Sequence, residues 1–404
     1  MLYYLIAGEA SGDLHGSNLM KQIIALDSNA RFWFWGGDKM IEVSGQQPVK
    51  HIKQLAFMGF KEVLLNIGKV FKNMALCKQE ILKHKPDVLV LIDYPGFNMR
   101  IAKFAKKNGI KVVYYIAPQV WAWRQSRVKA IKRNVDQLLV ILPFEAQFFS
   151  RFEVNNKFVG HPLLDAIENH NMSNAANQNE TFKSKKPLVA IMPGSRKQEI
   201  EASLPVMTQV AKKFPDYLFV IAGLGVNGME FYNRLLQKQN PSTNIEIMLD
   251  QTYRLLSHST AAVVTSGTAT LETALFDVPQ VVCYRGGSLS YLIAKRLVKT
   301  RYISLVNLVA DKEIVKELIQ GQFNVETLLN ELNLLVNDND YRQKILFGYQ
   351  RVKTLLGGTG ASKEAAREVV KIATSVPIKQ KPQTITARQL RYLLLRGFFA
   401  RKNC

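Results

Sequence analysis

The chain has little that would suit an oxidising compartment or a metal centre. Its three cysteines, Cys77, Cys283 and Cys404, are scattered through 404 residues, with no Cys-x-x-Cys pair and no matching histidine spacing. That excludes a disulfide framework, gives no zinc motif, and suits a reducing cytoplasm. No apolar run approaches the roughly 20 residues of a membrane span. The apolar start Met1–Ala7 lacks a basic segment before it and runs into a Gly/Ser/Asp loop, so it reads as a buried strand rather than a secretory signal. Of the six histidines (His15, His51, His84, His161, His170, His258) only His161, in Gly-His-Pro at the expected exit of the first domain, stands out. Acidic residues are scarce as well: 32 Asp and Glu face 54 Lys and Arg, a formal charge of +22. Such an excess favours an anionic partner, whether nucleic acid, phosphorylated ligand or acidic membrane face. The basic residues are spread along the chain without interleaved aromatics, which counts against nucleic acid.

What is present is a length sufficient for two domains and a globular hydrophobic share of 47%. Strand-length apolar runs at 3–7, 88–92, 112–116 and 138–142 alternate with Gly- or Pro-bearing loops and helix-period segments. This alternation predicts a doubly wound α/β sheet with right-handed crossovers. Residues 169–186 are rich in Asn, Ser, Gln and Lys and read as a linker. The pattern restarts at 188–192, 218–222, 261–265 and 280–283, and helices dominate from 311 to 374. The expected division is a first domain over 1–168, the linker 169–186, a second domain over 187–374, and a basic tail, 375–404, that crosses back to the first domain.

Candidate chemistry sits where strands end. After the first strand comes Gly8-Glu9-Ala10-Ser11-Gly12-Asp13, a tight turn into a helix N-terminus. It either presents N–H groups to an anion or simply places Asp13 as a cap. A second strand delivers Asp93 to its carboxyl end before Tyr94-Pro95-Gly96-Phe97-Asn98 breaks it. A carboxylate at that edge can take a proton from an attacking hydroxyl; otherwise Asp93 and Asn98 are helix caps. Trp121 and Trp123, beside Arg124, form either a stacking wall for sugar or acyl groups, or core. The turn Gly194-Ser195-Arg196 bares N–H groups, and Arg196 either forks onto a pyrophosphate or pairs with Glu199. In Ser266-Gly267-Thr268, a strand runs into a helix N-terminus that can cradle phosphate, and Glu272 further on can accept ribose hydroxyls or complement the helix dipole. Asp338-Asn-Asp340 has the spacing of a metal-binding pair but no strand before it, so it reads as a turn and cap. In 61–74, Val63, Leu64, Ile67, Val70, Phe71 and Met74 follow helical spacing among Lys61, Lys69 and Lys72. This stripe is either an interfacial membrane contact or an ordinary core-facing helix.

These strings, with Tyr302-Ile-Ser-Leu-Val-Asn307 and Val315-Lys-Glu-Leu-Ile-Gln320, occur in one order from Gly8 to about Ala366. Their combination resembles the lipid-A-disaccharide synthase family of inverting glycosyltransferases. The resemblance implies a GT-B fold, two Rossmann-like domains facing across a cleft. It implies transfer of a 2,3-diacylglucosamine unit from UDP-2,3-diacylglucosamine to 2,3-diacylglucosamine 1-phosphate, giving a β-1,6 disaccharide, with no metal and no cofactor. It makes Asp93 the base, assigns Arg196, the 266–268 turn and Glu272 to UDP, and sets Glu9, Ser11 and Asp13 along the cleft. Asn307 falls at a motif position, with Val306 where relatives carry proline. Lipid substrates imply a protein on the cytoplasmic face of the inner membrane, attached peripherally through its anionic surface. The runner-up is another GT-B enzyme on UDP-amino sugars, a muramyl transferase or 2-epimerase. A homodimer is left open.

Overall fold

A computed structural model describes residues 1–55, 67–123, 125–175, 184–238, 242–286 and 300–375. Seven parallel strands form the first sheet: β1 (Leu2–Ala7), β2 (Arg31–Gly36), β3 (Lys50–His51), β4 (Val88–Ile92), β5 (Lys111–Tyr115), β6 (Gln137–Val140) and β7 (Asn156–Phe158). Their order is β3-β2-β1-β4-β5-β6-β7. Six more, β8 (Leu188–Met192), β9 (Leu218–Gly223), β10 (Ile245–Leu249), β11 (Ser259–Thr265), β12 (Gln280–Tyr284) and β13 (Glu317–Ile319), form a second parallel sheet in the order β10-β9-β8-β11-β12-β13. Central strands such as Val-Leu-Val-Leu-Ile of β4 are buried throughout because helices cover both faces of the sheet. In each sheet the winding reverses beside its first strand, between β1 and β4 and between β8 and β11. Open α/β sheets bind ligands at the carboxyl ends of the strands at such a reversal. The loops singled out from the sequence follow these four strands.

Two chain passages join the halves. The helix Pro162–Ala175 carries Leu163 and Ile167 into the same core as Val189, Ile191 and Leu204 of the second half. It includes 169–175, the start of the expected linker; 176–183 lie outside the described residues. The return is made by the helix Ala361–Thr374, whose Ala365, Ala366, Val369 and Ala373 pack against Tyr3, Leu5, Val113 and Leu139 of the first sheet. This passage begins near residue 360; the tail expected to cross back, 375–404, lies outside the described residues from 376 onward. A buried carboxylate ties the passages together: Asp165 accepts hydrogen bonds from the backbone N–H of Gly360 (2.6 Å), Ala361 (3.3 Å) and Ser362 (2.8 Å). It caps a helix that lies about 200 residues away in sequence.

Candidate active site

At the first reversal, Asp93 and Tyr94 follow β4 with φ of 45° and 50°, two successive left-handed residues neither of which is glycine. Such backbone costs about 1–3 kcal/mol per residue and persists only where its surroundings fix it. Here the Asp93 carbonyl accepts from the Tyr114 hydroxyl (2.6 Å) and from Asn98 Nδ2 (2.8 Å), while the Asp93 N–H donates to the Tyr115 carbonyl (3.1 Å). Asn98 is fully buried and its Nδ2 also reaches the Ile92 carbonyl at 3.2 Å. Gly8 lies against this turn, and a Cβ there would come within 2.4 Å of the Tyr94 ring. Burial, followed by the nearby Glu9 carboxylate, pushes the Asp93 carboxyl up to about 6. Glu9 and Ser11 are exposed at the start of the helix Ala10–Leu26.

Asp13 is buried inside that helix rather than capping it. Its carboxylate receives the N–H groups of Gly37 (2.6 Å), Lys39 (3.1 Å) and Met40 (3.2 Å) and so holds the helix Asp38–Ser44. His161 and His15 are buried side by side, and desolvation pushes them down to about 3 and about 4, leaving both neutral at pH 7.

At the second reversal two turns meet. Gly194 adopts φ of 112°, and a Cβ on it would lie 3.2 Å from Glu199 Cβ and 3.6 Å from Thr265 Cγ2. Arg196 precedes the helix Lys197–Gln209 and pairs with Glu199 at 2.8 Å, the local alternative anticipated from the sequence. The guanidinium side chain remains 67% exposed, and such surface pairs contribute only about 0.2–1 kcal/mol, so it is available to an incoming anion. Beyond β11, Ser266 Oγ donates to the Ile303 carbonyl (2.9 Å), while Gly267 and Thr268 are exposed where the helix Thr268–Leu275 begins. Glu272, half-buried on that helix, accepts from the Tyr253 hydroxyl at 3.2 Å. Desolvation raises its carboxyl above the ordinary range and the Tyr253 bond opposes that rise.

A cleft of about 1500 Å³ opens beside Glu272. One wall carries Leu224 and Asp250–Arg254 from the carboxyl ends of β9 and β10; the other carries Ser17, Asn18, Lys21 and Lys39 of the first half. Asp93 and Arg196 are not among its described lining residues. The sequence reading passed over Tyr253 and its neighbours because β10 is a half-exposed edge strand with a weak apolar signal.

Other expected contacts lie inside the protein. Asn307 is fully buried: its Oδ1 accepts from Ile314 N (2.7 Å) and Val315 N (3.0 Å), and its Nδ2 donates to the Val315 carbonyl and Glu317 Oε1, both 2.9 Å. No hydrogen-bonding capacity remains for a ligand; Asn307 shapes the 304–317 loop. Trp121 is a core residue, its Nε1 donating to buried Glu145 at 2.9 Å and its ring edge-on to Phe144 at 4.8 Å. Trp123 lies on the same short helix, with its side chain and Arg124 outside the described residues. The Asp338 side chain accepts from Tyr341 N at 2.9 Å and caps the helix Asn339–Leu356, as the turn reading expected.

The basic stripe divides. Val63 and Leu64 lie outside the described residues, as does the side chain of Ile67. The helix Ile67–His84 exposes Phe71 (68%) and half-buries Val70, but buries Met74 (7%), Cys77 and Ile81. Core-facing and outward-facing residues therefore share a pattern that the sequence could assign only as a whole.

Two doubly wound parallel sheets, with exposed turns at one reversal point and a carboxylate at the other, have the architecture of the GT-B fold. A family model described as lipid-A-disaccharide synthetase matches residues 3–371. The lipid-A-disaccharide synthase of Geobacter metallireducens is 37% identical over 374 residues, 91% of this chain and 96% of its own. That of Coxiella burnetii (strain Dugway 5J108-111) is 36% identical over 371 residues, 90% of this chain and 96% of its own. The chain belongs to the lipid-A-disaccharide synthase family. In fold it is similar to a Neisseria meningitidis UDP-GlcNAc 2-epimerase solved with UDP-GlcNAc (TM-score 0.65, 13% identity, 92% of this chain and 100% of that one). It is also similar to the glycosyltransferase of kitacinnamycin (TM-score 0.62, 14% identity, 92% and 99%).

Proposed function

We propose that the protein transfers a 2,3-diacylglucosamine unit from UDP-2,3-diacylglucosamine to the 6-hydroxyl of 2,3-diacylglucosamine 1-phosphate, with inversion and without a metal. Family membership supports the disaccharide product. The observation that carries the mechanism is Asp93, held on a doubly left-handed turn at the carboxyl end of β4, with its carboxyl raised to about 6. At pH 7 it is mostly ionised yet basic enough to act. The acceptor oxygen attacks the anomeric carbon as Asp93 takes its proton. The bond from that carbon to the diphosphate breaks, and UDP leaves. One base and one displacement invert the centre, so an α-linked donor gives a β-linked product. Charge growing on UDP meets Arg196 and the N–H groups of the Gly194 and Ser266–Thr268 turns, and Glu272 takes the ribose hydroxyls. Asn98, Asp13 and Asn307 act as positioning residues, each hydrogen-bonded to backbone groups. Glu9 and Ser11 flank the acceptor side.

The substrates are lipids, so the protein works at the cytoplasmic face of the inner membrane. The +22 charge and the exposed Phe71 among lysines support peripheral attachment to its anionic surface. Proton NMR of the product tests the mechanism: a β linkage from an α donor, formed unchanged in chelator, is expected. An α linkage would reject single displacement by Asp93, and loss of turnover in chelator would reject the metal-free route.

A further inference from the structure

Tyr253 touches the residue assigned to ribose yet has no part in the reaction above. It stands in the short helix Thr252–Ser257 that follows β10, on the cleft wall. Its ring is caged: His170, from the helix that joins the two halves, meets it edge-on at 5.3 Å and 79°, and Phe276 packs against it at 5.3 Å and 45°. The backbone beneath is fixed too. Asp250 adopts φ of 54° and accepts from Gly225 N at 2.9 Å, tying the β9 and β10 loops together. Gly225 allows this approach, because a Cβ there would lie 2.1 Å from the Asp250 carboxylate. From this fixed base the Tyr253 hydroxyl donates to Glu272 Oε1 at 3.2 Å.

A glutamate side chain has three rotatable bonds, and a carboxylate that receives two neighbouring ribose hydroxyls must be held in one orientation. Ordering it only when the ligand arrives weakens binding. The tyrosine engages one oxygen, Oε1, of a carboxylate whose residue lines the cleft. We propose that Tyr253 is the positioning residue that sets Glu272 for the ribose of the nucleotide, making recognition of the 2′-hydroxyl depend on its phenol. This inference rests on the UDP reading of the site, and its test separates the two.

The measurement is calorimetric affinity for UDP and for 2′-deoxy-UDP in the full-length wild type, Tyr253→Phe and Glu272→Gln. The wild type should prefer UDP. In Tyr253→Phe, which keeps the caged ring, UDP affinity should fall about tenfold, roughly 1.4 kcal/mol. Its 2′-deoxy-UDP affinity should fall by less, because one of the two hydroxyl contacts is already absent, so the preference collapses. Glu272→Gln should show the same collapse. Equal losses for both nucleotides would mean that Tyr253 only supports the fold and would overturn the inference, as would an unchanged preference in Tyr253→Phe. A wild type that binds neither nucleotide would instead overturn the UDP reading.

Discussion

Asp93 carries the residue-scale account, and two of its properties pull in opposite directions. In the proposed role of general base it would contribute on the order of 10²–10⁴ in rate. Asp93→Asn should therefore lower turnover by that factor and leave UDP affinity within about twofold, checked by steady-state kinetics and calorimetry. Loss of both together would mean that the residue is structural. Because the carboxyl is raised to about 6, the wild-type kcat/KM should fall about tenfold per pH unit below that value. Stability moves the other way. A carboxyl whose folded value lies above its ordinary 3.8 favours the folded state while protonated. That contribution is present below about pH 4 and is lost as pH rises through about 6. Asp93→Asn should thus be more stable than wild type at pH 8, by on the order of 2–3 kcal/mol, with the difference shrinking towards pH 4. Denaturant unfolding at both pH values reads this, and a pH-independent difference would contradict it. Asp93 was legible in the sequence because an apolar strand ends on it. Tyr114, Tyr253 and the true targets of Asp13 were not, since their bonds span 19 to 27 residues and leave no local pattern.

Elements were legible in proportion to their burial. The central strands β1, β4, β5, β8 and β11 fall close to where apolar runs predicted them, because strands covered on both faces must be continuously apolar. The short edges β3, β7 and β13, two or three residues each, leave no such run. That the helix Ala361–Thr374 joins the first sheet is not legible in the sequence because its anchor is remote: Asp165 lies almost 200 residues before the N–H groups it receives. Asp165→Ala should destabilise the protein by about 1–2 kcal/mol, the usual cost of a lost cap, with Asp165→Asn recovering part of it. Urea unfolding measures both, and no change in the alanine variant would show the cap to be idle. On the helix Ile67–His84, Phe71→Ser should weaken binding to anionic vesicles severalfold with stability unchanged, because Phe71 is exposed. Met74→Ser should instead destabilise the fold, because Met74 is core. Vesicle sedimentation beside thermal melting separates the two faces, and vesicle binding indifferent to Phe71 would remove it from the docking surface.

At the scale of the whole molecule, two halves bring unlike chemistries to one enzyme. The first presents a strained turn that carries Asp93, and the second presents the exposed Arg196 and the half-buried Glu272, the groups proposed above for base and nucleotide. The +22 charge suits the anionic substrates and surface proposed above, and vesicle binding should weaken steeply above physiological salt. The GT-B fold also occurs in a UDP-GlcNAc 2-epimerase solved with UDP-GlcNAc, a sugar nucleotide without fatty acyl groups. The central claim is that the transferred sugar is acylated. It is tested most directly by UDP release from UDP-2,3-diacylglucosamine and from UDP-GlcNAc, each with 2,3-diacylglucosamine 1-phosphate as acceptor. Turnover with the diacylated donor and none above background with UDP-GlcNAc is expected, while comparable turnover of both donors would contradict the account.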